Sequence, residues 1–219
     1  MQTHALRSLP SNLQSNLPSI CTLQSAICPL NGGLLTTAIV FLVIFVPMLL
    51  EASRARRNEH TQRARGGVEP PGDVYVLMRT AYPALFLAIL GEGVLGGTPS
   101  SGTLIAGGAL FGAAKTLKWW AIRSLGSCWT FRVIVVPGAP LVASGPYRYT
   151  RHPNYLAVMG EIAGAAVMTG ARVTGPVAAV LFGALMLRRM AVENRALADA
   201  AARAANGARL AESRRATQA

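Results

Sequence analysis

Five apolar blocks alternate with polar segments along the chain. They cover residues 33–50, 74–97, 101–122, 154–171 and 173–190. The first block has 18 residues and no charge, and a helix of that length crosses a hydrocarbon core about 30 Å thick. Because backbone groups in lipid must pair within the chain, such blocks predict helices rather than open strands. The pattern predicts an all-α, polytopic membrane protein with about five transmembrane helices.

The remaining segments set the expected domain limits. Residues 1–32 are rich in Ser, Asn, Gln, Leu and Pro. They lack the charged start and apolar core of a signal peptide, so we expect a disordered N-terminal tail. Residues 33–200 form the expected membrane domain. Residues 201–219 belong to an Ala- and Arg-rich stretch that is periodic enough for a surface helix, and we expect them to form a polar, basic C-terminal tail.

The basic residues predict the orientation of the helices. Loop 51–73 contains five Arg, segment 115–153 contains six Lys or Arg and no acid, and the chain from residue 188 contains seven Arg. The loops near residues 98 and 172 contain one Arg between them. Since positive loops stay in the cytoplasm, the N-terminus is expected outside and the C-terminus inside. The Ala- and Arg-rich composition indicates a bacterium with GC-rich DNA, hence the inner membrane.

Composition limits the class of protein further. Of the residues, 52% are hydrophobic and 14% are charged, whereas soluble domains carry about 25% charged residues. The net charge of +12 is spread over loops, and no nucleic-acid-binding module is visible, so we expect no nucleic-acid partner. No obligate protein partner is evident. The Cys and His residues show no metal-ligand spacing, so we expect no metal site; they are Cys21, Cys28, Cys128, His4, His60 and His152.

Two glycine patterns and two acidic residues occur inside the apolar blocks. Residues 91–96 match GxGxxG, but they end an apolar helix and lack the strand that a dinucleotide site needs, so we interpret these glycines as packing positions. Gly108 and Gly112 have the GxxxG spacing that lets helices approach closely. Glu92 and Glu161 are costly at membrane depth unless buried or hydrated. Glu161 either lines the site described next or bridges helices as a neutral acid.

The segment before the fourth block is chemically unusual. The string SGPYRYTRHPNY at residues 144–155 places two Arg, one His, three Tyr and one Asn at a helix start. Pro153 suits the first turn, and the adjoining His152 and Asn154 lie where backbone N–H groups attract an anion. Arg148 and Arg151 add donors for a carboxylate or phosphate. The alternative interpretation is an interfacial aromatic belt with cytoplasmic positive charges.

This string closely resembles the signature of the isoprenylcysteine carboxyl methyltransferase family, which comprises multi-span methyltransferases. Segments 57–59, 69–75 and 81–83 are similar to a bacterial branch that includes alkylpyrone O-methyltransferases. The resemblance covers roughly residues 35–200. A second family element, an Arg and a Glu four residues apart after the last helix, is matched by Arg189 and Glu193. Many members have a second Glu where this chain has Asn194, which leaves that role unfilled or taken by an amide.

The resemblance implies a cofactor site for S-adenosylmethionine at the cytoplasmic face. The residues implied in cofactor binding are Ala139, Pro140, Leu141, Val142, Tyr147, His152, Pro153, Asn154, Tyr155 and Glu193. Arg189 is implied as the arginine on the substrate side, with a role in catalysis and substrate binding. The alternative for Arg189 and Glu193 is a surface salt bridge, because positions i and i+4 share one helix face.

The expected reaction is methyl transfer to a carboxylate or acidic hydroxyl of a lipophilic substrate, such as a polyketide-type lipid or an isoprenylcysteine-like group. The substrate's apolar tail is expected to lie among membrane lipid and helices. Positioning and a dry pocket do most of the work in such a transfer. A less acidic hydroxyl needs a base, and His152 is the candidate. Two alternatives remain: an NADPH-dependent membrane reductase, and a small membrane protein without enzymatic activity.

Overall fold

The computed structural model describes residues 20–139 and 142–218. Five long helices lie in these ranges: α1 (Ile20–Ala64), α2 (Tyr75–Leu95), α3 (Ser101–Leu125), α4 (Pro153–Thr169) and α5 (Thr174–Gln218). Two 3-10 turns, Gly126–Cys128 and Gly145–Arg148, lie between α3 and α4. The one β pairing within the described ranges is an antiparallel bridge between Val68 and Val135. The all-α class predicted from the sequence is confirmed.

Each apolar block lies in one of these helices, and three of the helices are long and apolar enough to cross a membrane. Those three stretches are Gly33–Ala64, Tyr75–Leu95 and Thr174–Arg203. α4 has 17 residues, which is the lower limit for a span, and α3 has two lysines in its C-terminal half that reduce its hydropathy. The chain is an integral membrane protein, and the number of five spans stays a prediction.

The helices at both ends extend beyond the domain limits that we expected. The chain divides into two compact units, residues 1–40 and 41–219, and the packing described below lies within the second. α1 begins at Ile20, so residues 20–32 are helical where a disordered tail was predicted, while residues 1–19 lie outside the described residues. α5 continues through residues 201–218. Once a helix is nucleated, each added residue gains one hydrogen bond, so a helix continues past its apolar block.

Close helix contacts depend on glycines other than the predicted GxxxG pair. α3 and α4 form the most extensive helix–helix contact. A Cβ at Gly107 would collide with the Met168 backbone, and one at Gly164 would lie 2.6 Å from the Phe111 nitrogen. In contrast, Gly112 has open space around it and Gly108 meets only the Met168 sulfur at 3.9 Å. The predicted GxxxG pair therefore makes no close helix contact within the chain, and packing between two chains stays a prediction. Spacing finds small residues but does not show which helix face meets a neighbour.

Glu92 joins the end of α2 to the start of α5. Its Oε1 accepts a hydrogen bond from the Val173 nitrogen at 3.0 Å, and its Oε2 accepts from the nitrogen and Oγ1 of Thr174, both at 2.6 Å. The first N–H groups of a helix lack partners inside the helix, and a negative charge is favourable there. Glu92 thus caps α5. Gly93, from the GxGxxG match, lies against Thr169 of α4, which confirms a packing role at that position.

A buried ion network connects four helices at one level. Lys115 and Lys118 of α3 lie between Glu51 of α1 and Glu161 of α4. The Lys115 Nζ is 2.8 Å from Glu51 Oε1 and 3.1 Å from Glu161 Oε1, and the Lys118 Nζ is 2.7 Å from Glu51 Oε2 and 3.3 Å from Glu161 Oε2. Tyr82 of α2 donates its hydroxyl hydrogen to Glu161. Glu161 therefore bridges helices as the ion-pair partner of two lysines.

The network balances its own charge in a nonpolar setting. Glu51, Lys118 and Glu161 are each at most 2% exposed. An unpaired ion in such surroundings is very costly, so two carboxylates and two ammonium groups within ion-pair distance satisfy each other. The arrangement fixes the axial position of each helix, because sliding any one by a single turn, about 5.4 Å, would separate its charge from the others.

Removing one cation from this network is expected to destabilise the protein strongly. Lys118→Met keeps the side-chain length but leaves two buried carboxylates to share Lys115. We expect the free energy of unfolding in detergent to fall by about 3–5 kcal/mol. Arg123→Met on the exposed side of α3 is the control and should change it by less than about 0.5 kcal/mol. The double variant Lys118→Met, Glu161→Gln should recover part of the loss. Equal stability of the two single variants would contradict this role.

Candidate functional site

The segment after α3 is anchored to the end of α1 by side-chain amides. Asn58 donates through Nδ2 to the carbonyl oxygens of Gly126 at 3.0 Å and Trp129 at 2.7 Å. Gln62, which is 4% exposed, donates through Nε2 to the Ser127 carbonyl at 2.8 Å. Amide side chains here replace the regular backbone pairing that an irregular segment lacks. These contacts therefore fix the position of the segment that follows, residues 129–135.

The loop before α2 is joined to residues 129–135. Val68 and Val135 exchange two backbone hydrogen bonds, of 2.9 and 3.0 Å. Glu69 accepts from Arg132 Nη1 at 2.7 Å, and the Arg132 guanidinium lies 4.4 Å from the centre of the Tyr75 ring. The hydrogen bond to Glu69, together with the charges of its acidic neighbours, raises the pKa of Arg132. These contacts bring Asp73, at the end of the loop, next to the backbone of residues 131–133.

Asp73 is a buried carboxylate with three partners. Its Oδ1 accepts from the Tyr75 nitrogen at 3.1 Å and lies 3.4 Å from the Arg189 Nη1. Its Oδ2 accepts from the Val133 nitrogen at 3.0 Å. The side chain is 3% exposed. Sequence reasoning quoted Asp73 as part of a similar segment but gave it no role, because only the fold brings residues 73 and 189 together.

The turn before α4 depends on a glycine. Gly145 has a φ of +60°, which L side chains rarely adopt, and a Cβ there would collide with the Ser124 side chain and lie 3.1 Å from the Trp120 Nε1. The Tyr147 nitrogen donates to the Ser144 carbonyl at 3.3 Å. The turn places Tyr147 near Glu193. Burial, followed by the Glu193 charge, raises the pKa of Tyr147, so its hydroxyl keeps its proton at neutral pH.

The start of α4 presents polar atoms that lack partners. His152 occupies the N-cap position and Pro153 the first helical position, and no side chain caps this helix. The His152 ring stacks on the Tyr155 ring with 5.2 Å between their centres. Within the described residues, the buried atoms His152 Nε2 and Asn154 Oδ1 have no hydrogen-bond partner. Buried polar atoms are almost always paired, so these two atoms indicate a polar ligand.

The Tyr155 hydroxyl links Arg189 and Glu193, the two residues of α5 that match the second element of the family. Tyr155 donates to Glu193 Oε2 at 2.8 Å and accepts from Arg189 Nε at 3.2 Å. Arg189 also donates through Nη2 to the Phe131 carbonyl oxygen, and its Nη1 faces Asp73. Arg189 is 7% exposed, and no direct ion pair with Glu193 occurs among the described residues. The surface salt bridge considered from the sequence is therefore wrong, because both side chains turn inward to Tyr155.

The structure thus brings together most of the predicted site residues. His152, Pro153, Asn154 and Tyr155 form the start of α4, and Glu193 and Arg189 meet Tyr155 from α5. Residues 139–142, which precede the turn, give less information about the predicted site. Ala139 is exposed and its nitrogen donates to the Val136 carbonyl at 3.2 Å, Val142 is partly buried, and Pro140 and Leu141 lie outside the described residues. Asn194 is exposed.

The model of the isoprenylcysteine carboxyl methyltransferase family matches residues 107–199 of the chain. The match contains α3 from Gly107 onward, the turn, α4 and the site residues of α5. This segment, which holds most of the candidate site, is therefore similar to a family of membrane methyltransferases.

Two curated relatives are similar over nearly their full length. An uncharacterised protein of Bacillus subtilis (strain 168), YpbQ, is 29% identical over 157 residues, which are 72% of this chain and 94% of the relative. An uncharacterised protein of Haemophilus influenzae is 24% identical over 160 residues, covering 73% of this chain and 93% of the relative. No solved structure matches. These relatives extend the similarity beyond the family segment but assign no substrate.

Adding a methyl group at Gly145 is expected to disturb the turn that positions Tyr147. Gly145→Ala would strain the positive φ and push against Ser124 and Trp120, so we expect a lower melting temperature in detergent. Gly138→Ala is the matched control: its φ is +76°, but the space around its Cβ is open. Gly138→Ala introduces the backbone strain without a steric clash, so Gly145→Ala should have the lower melting temperature. Equal melting temperatures would contradict a steric requirement for this glycine.

Proposed function

We propose that this protein transfers a methyl group from S-adenosylmethionine to a carboxylate or acidic hydroxyl of a lipophilic acceptor. The observation that carries the proposal is the start of α4, where the buried atoms His152 Nε2 and Asn154 Oδ1 have no partner in the described structure, next to the Tyr155–Glu193 pair. An uncapped helix start, buried polar atoms and one carboxylate match the polar groups of this cofactor.

The N-terminus of α4 and Glu193 match the two charged groups at the amino-acid end of the cofactor. Its carboxylate suits the N-terminus of α4, where the helix dipole favours an anion and no side chain caps the helix. Its ammonium suits Glu193, which is held by Tyr155 at 2.8 Å. The stacked rings of His152 and Tyr155 and the protonated hydroxyl of Tyr147 offer an apolar wall with polar edges for a nucleoside.

When bound, S-adenosylmethionine supplies an electrophilic methyl group on a sulfonium. The chain's own residues bind it, orient it and exclude water, which accounts for most of the catalysis in such a transfer. A carboxylate or acidic enol is already ionised at neutral pH and needs no base. For a less acidic hydroxyl, we propose that the unpartnered His152 Nε2 takes the proton. Arg189 is proposed to orient the acceptor's oxygen from the side of Tyr155.

The acceptor is proposed to be a polyketide-type lipid or an isoprenylcysteine-like group. The site lies at the ends of membrane helices, so a long apolar tail remains among lipid while the polar head reaches α4. We further propose that this end faces the cytoplasm of a bacterial inner membrane. Support comes from the basic residues at this end of the bundle, because Arg65, Arg132 and Arg148 all belong to segments that join the helices there.

The orientation is tested with reporter fusions. Alkaline phosphatase is active only outside the cytoplasm, and green fluorescent protein only inside. We expect fusions after Gln218 to fluoresce and to lack phosphatase activity, and phosphatase inserted at Thr98 in the short loop between α2 and α3 to be active. The Thr98 insertion serves as the internal control for expression. Phosphatase activity at the C-terminus would overturn the orientation.

The activity is tested by binding and by transfer. Purified protein in lipid nanodiscs is titrated with S-adenosylmethionine, and membranes are assayed for transfer of its labelled methyl group to extractable lipid. We expect binding by the wild type and losses of about tenfold or more in affinity for Glu193→Gln, since a charged hydrogen bond contributes about 1.5–3 kcal/mol. His152→Ala should reduce transfer.

Matched controls are available on the exposed surface. His60→Ala changes another histidine, and Asp199→Asn changes another acid to its amide, both at exposed positions, and both variants should behave as the wild type does. Activity of Glu193→Gln and His152→Ala equal to that of the controls would contradict the site assignment. Binding of NADPH without binding of S-adenosylmethionine would favour a reductase, and binding of neither would contradict an enzyme that uses these cofactors.

A further inference from the structure

The contacts of Arg189 determine which neighbouring carboxylate neutralises its positive charge. All three of its nitrogens face protein oxygens: Nε faces Tyr155, Nη2 faces the Phe131 carbonyl, and Nη1 lies 3.4 Å from Asp73. Of these oxygens, only that of Asp73 carries a full negative charge. Glu193, four residues further along the same helix, is separated from the guanidinium by the Tyr155 hydroxyl alone. Two carboxylates therefore compete for one buried cation.

We propose that Asp73 is a positioning residue of the cofactor site, which neutralises Arg189 and so leaves the Glu193 charge for a cationic ligand. The proposal rests on the function proposed above. Asp73 comes from the loop before α2, touches neither α4 nor Glu193 among the described contacts, and acts through Arg189.

The geometry of Asp73 supports a fixed ion-pair partner. Its two backbone donors, the nitrogens of Tyr75 and Val133, hold the carboxylate in place at 3.1 and 3.0 Å. Those nitrogens belong to segments that are themselves tied to the end of α1 and to each other through the Val68–Val135 bridge. A carboxylate with 3% exposure and two backbone hydrogen bonds keeps its position and has little conformational freedom to lose.

The net charge of the site explains why Asp73 matters for the binding of a cationic ligand. Asp73, Arg189 and Glu193 together carry one negative charge. S-adenosylmethionine carries one positive charge, because its sulfonium and ammonium outweigh its carboxylate. Without Asp73 the sum is zero, and Arg189 would attract Glu193, which lies on the same helix face. The charges of Arg148 and Arg151 act less strongly, since both side chains are exposed and screened by salt.

The test compares three ligands that differ in charge. S-adenosylmethionine has a net charge of +1, S-adenosylhomocysteine is a neutral zwitterion, and 5′-methylthioadenosine is neutral and lacks the amino-acid end. Their dissociation constants are measured by calorimetry on full-length protein in nanodiscs. For Asp73→Asn we expect S-adenosylmethionine to lose affinity on the order of tenfold. S-adenosylhomocysteine should lose less, and 5′-methylthioadenosine should be unchanged. A loss shared equally by all three ligands indicates structural damage and would overturn the proposal.

Two controls complete the experiment. Asp199→Asn makes the same chemical change at an exposed position of α5 and should leave all three dissociation constants unchanged. Asp73→Glu keeps the charge, so the ratio of the constants for S-adenosylmethionine and 5′-methylthioadenosine should remain that of the wild type. A selective loss for S-adenosylmethionine in Asp73→Glu would overturn the charge argument, and this holds even where Asp73→Asn does not fold.

The outcomes separate this inference from the proposed function. Failure of the wild type to bind S-adenosylmethionine overturns both. Binding by the wild type, with unchanged constants in Asp73→Asn, overturns the role of Asp73 alone and leaves the proposed methyltransferase site in place.

Discussion

The cost of removing a charge from water governs how this chain is built. Within the part of the chain that the structure describes, every buried ionic group is met by opposite charge or by several hydrogen bonds, and these contacts determine the positions of the helices. Lys115 and Lys118 meet Glu51 and Glu161, and Arg189 meets Asp73, the Phe131 carbonyl and Tyr155. Between helices in lipid the hydrophobic effect gives little preference for one register over another, so the polar contacts specify the register.

The two sets of polar contacts are connected through α4. Glu161 belongs to the buried ion network, and Tyr155 lies six residues earlier, about 9 Å along the same helix. The network therefore sets the depth at which the start of α4 stands, and with it the positions of His152, Asn154 and Tyr155. A second constraint comes from the segment after α3, whose carbonyl at Phe131 and amide at Val133 are held by the anchors on α1. The candidate site is the place where the two constraints meet.

These contacts also explain how far the sequence alone was informative. Apolar blocks found every helix because hydropathy is a local property, and the residues at the start of α4 were found because they are contiguous. Arg189 and Glu193 were found through the resemblance to the family's second element, an Arg and a Glu four residues apart. Lys115, Lys118 and Asp73 were missed, since a single charged residue has several explanations until its partner is known, and those partners are 36 to 116 residues away along the chain. Gly107 and Gly164, which pack closely within the chain, were missed for the same reason, since a small residue does not show which neighbour it meets.

The contacts of Arg189 give a physical account of the departure at residue 194. Many members of the family have two adjacent acids where this chain has Glu193 and Asn194, and Asn194 is exposed. An arginine beside a cation site creates repulsion that some carboxylate must cancel. In the proposed site, the cancelling carboxylate is Asp73 in the loop before α2, and the carboxylate proposed to face the ligand is Glu193 on α5. With Asp73 paired to Arg189, a single acid on α5 is enough to leave the site negative, and an amide next to it does not change that balance. The number of adjacent acids is thus a poor guide to the charge of such a site, because the relevant sum includes residues that only the fold brings near.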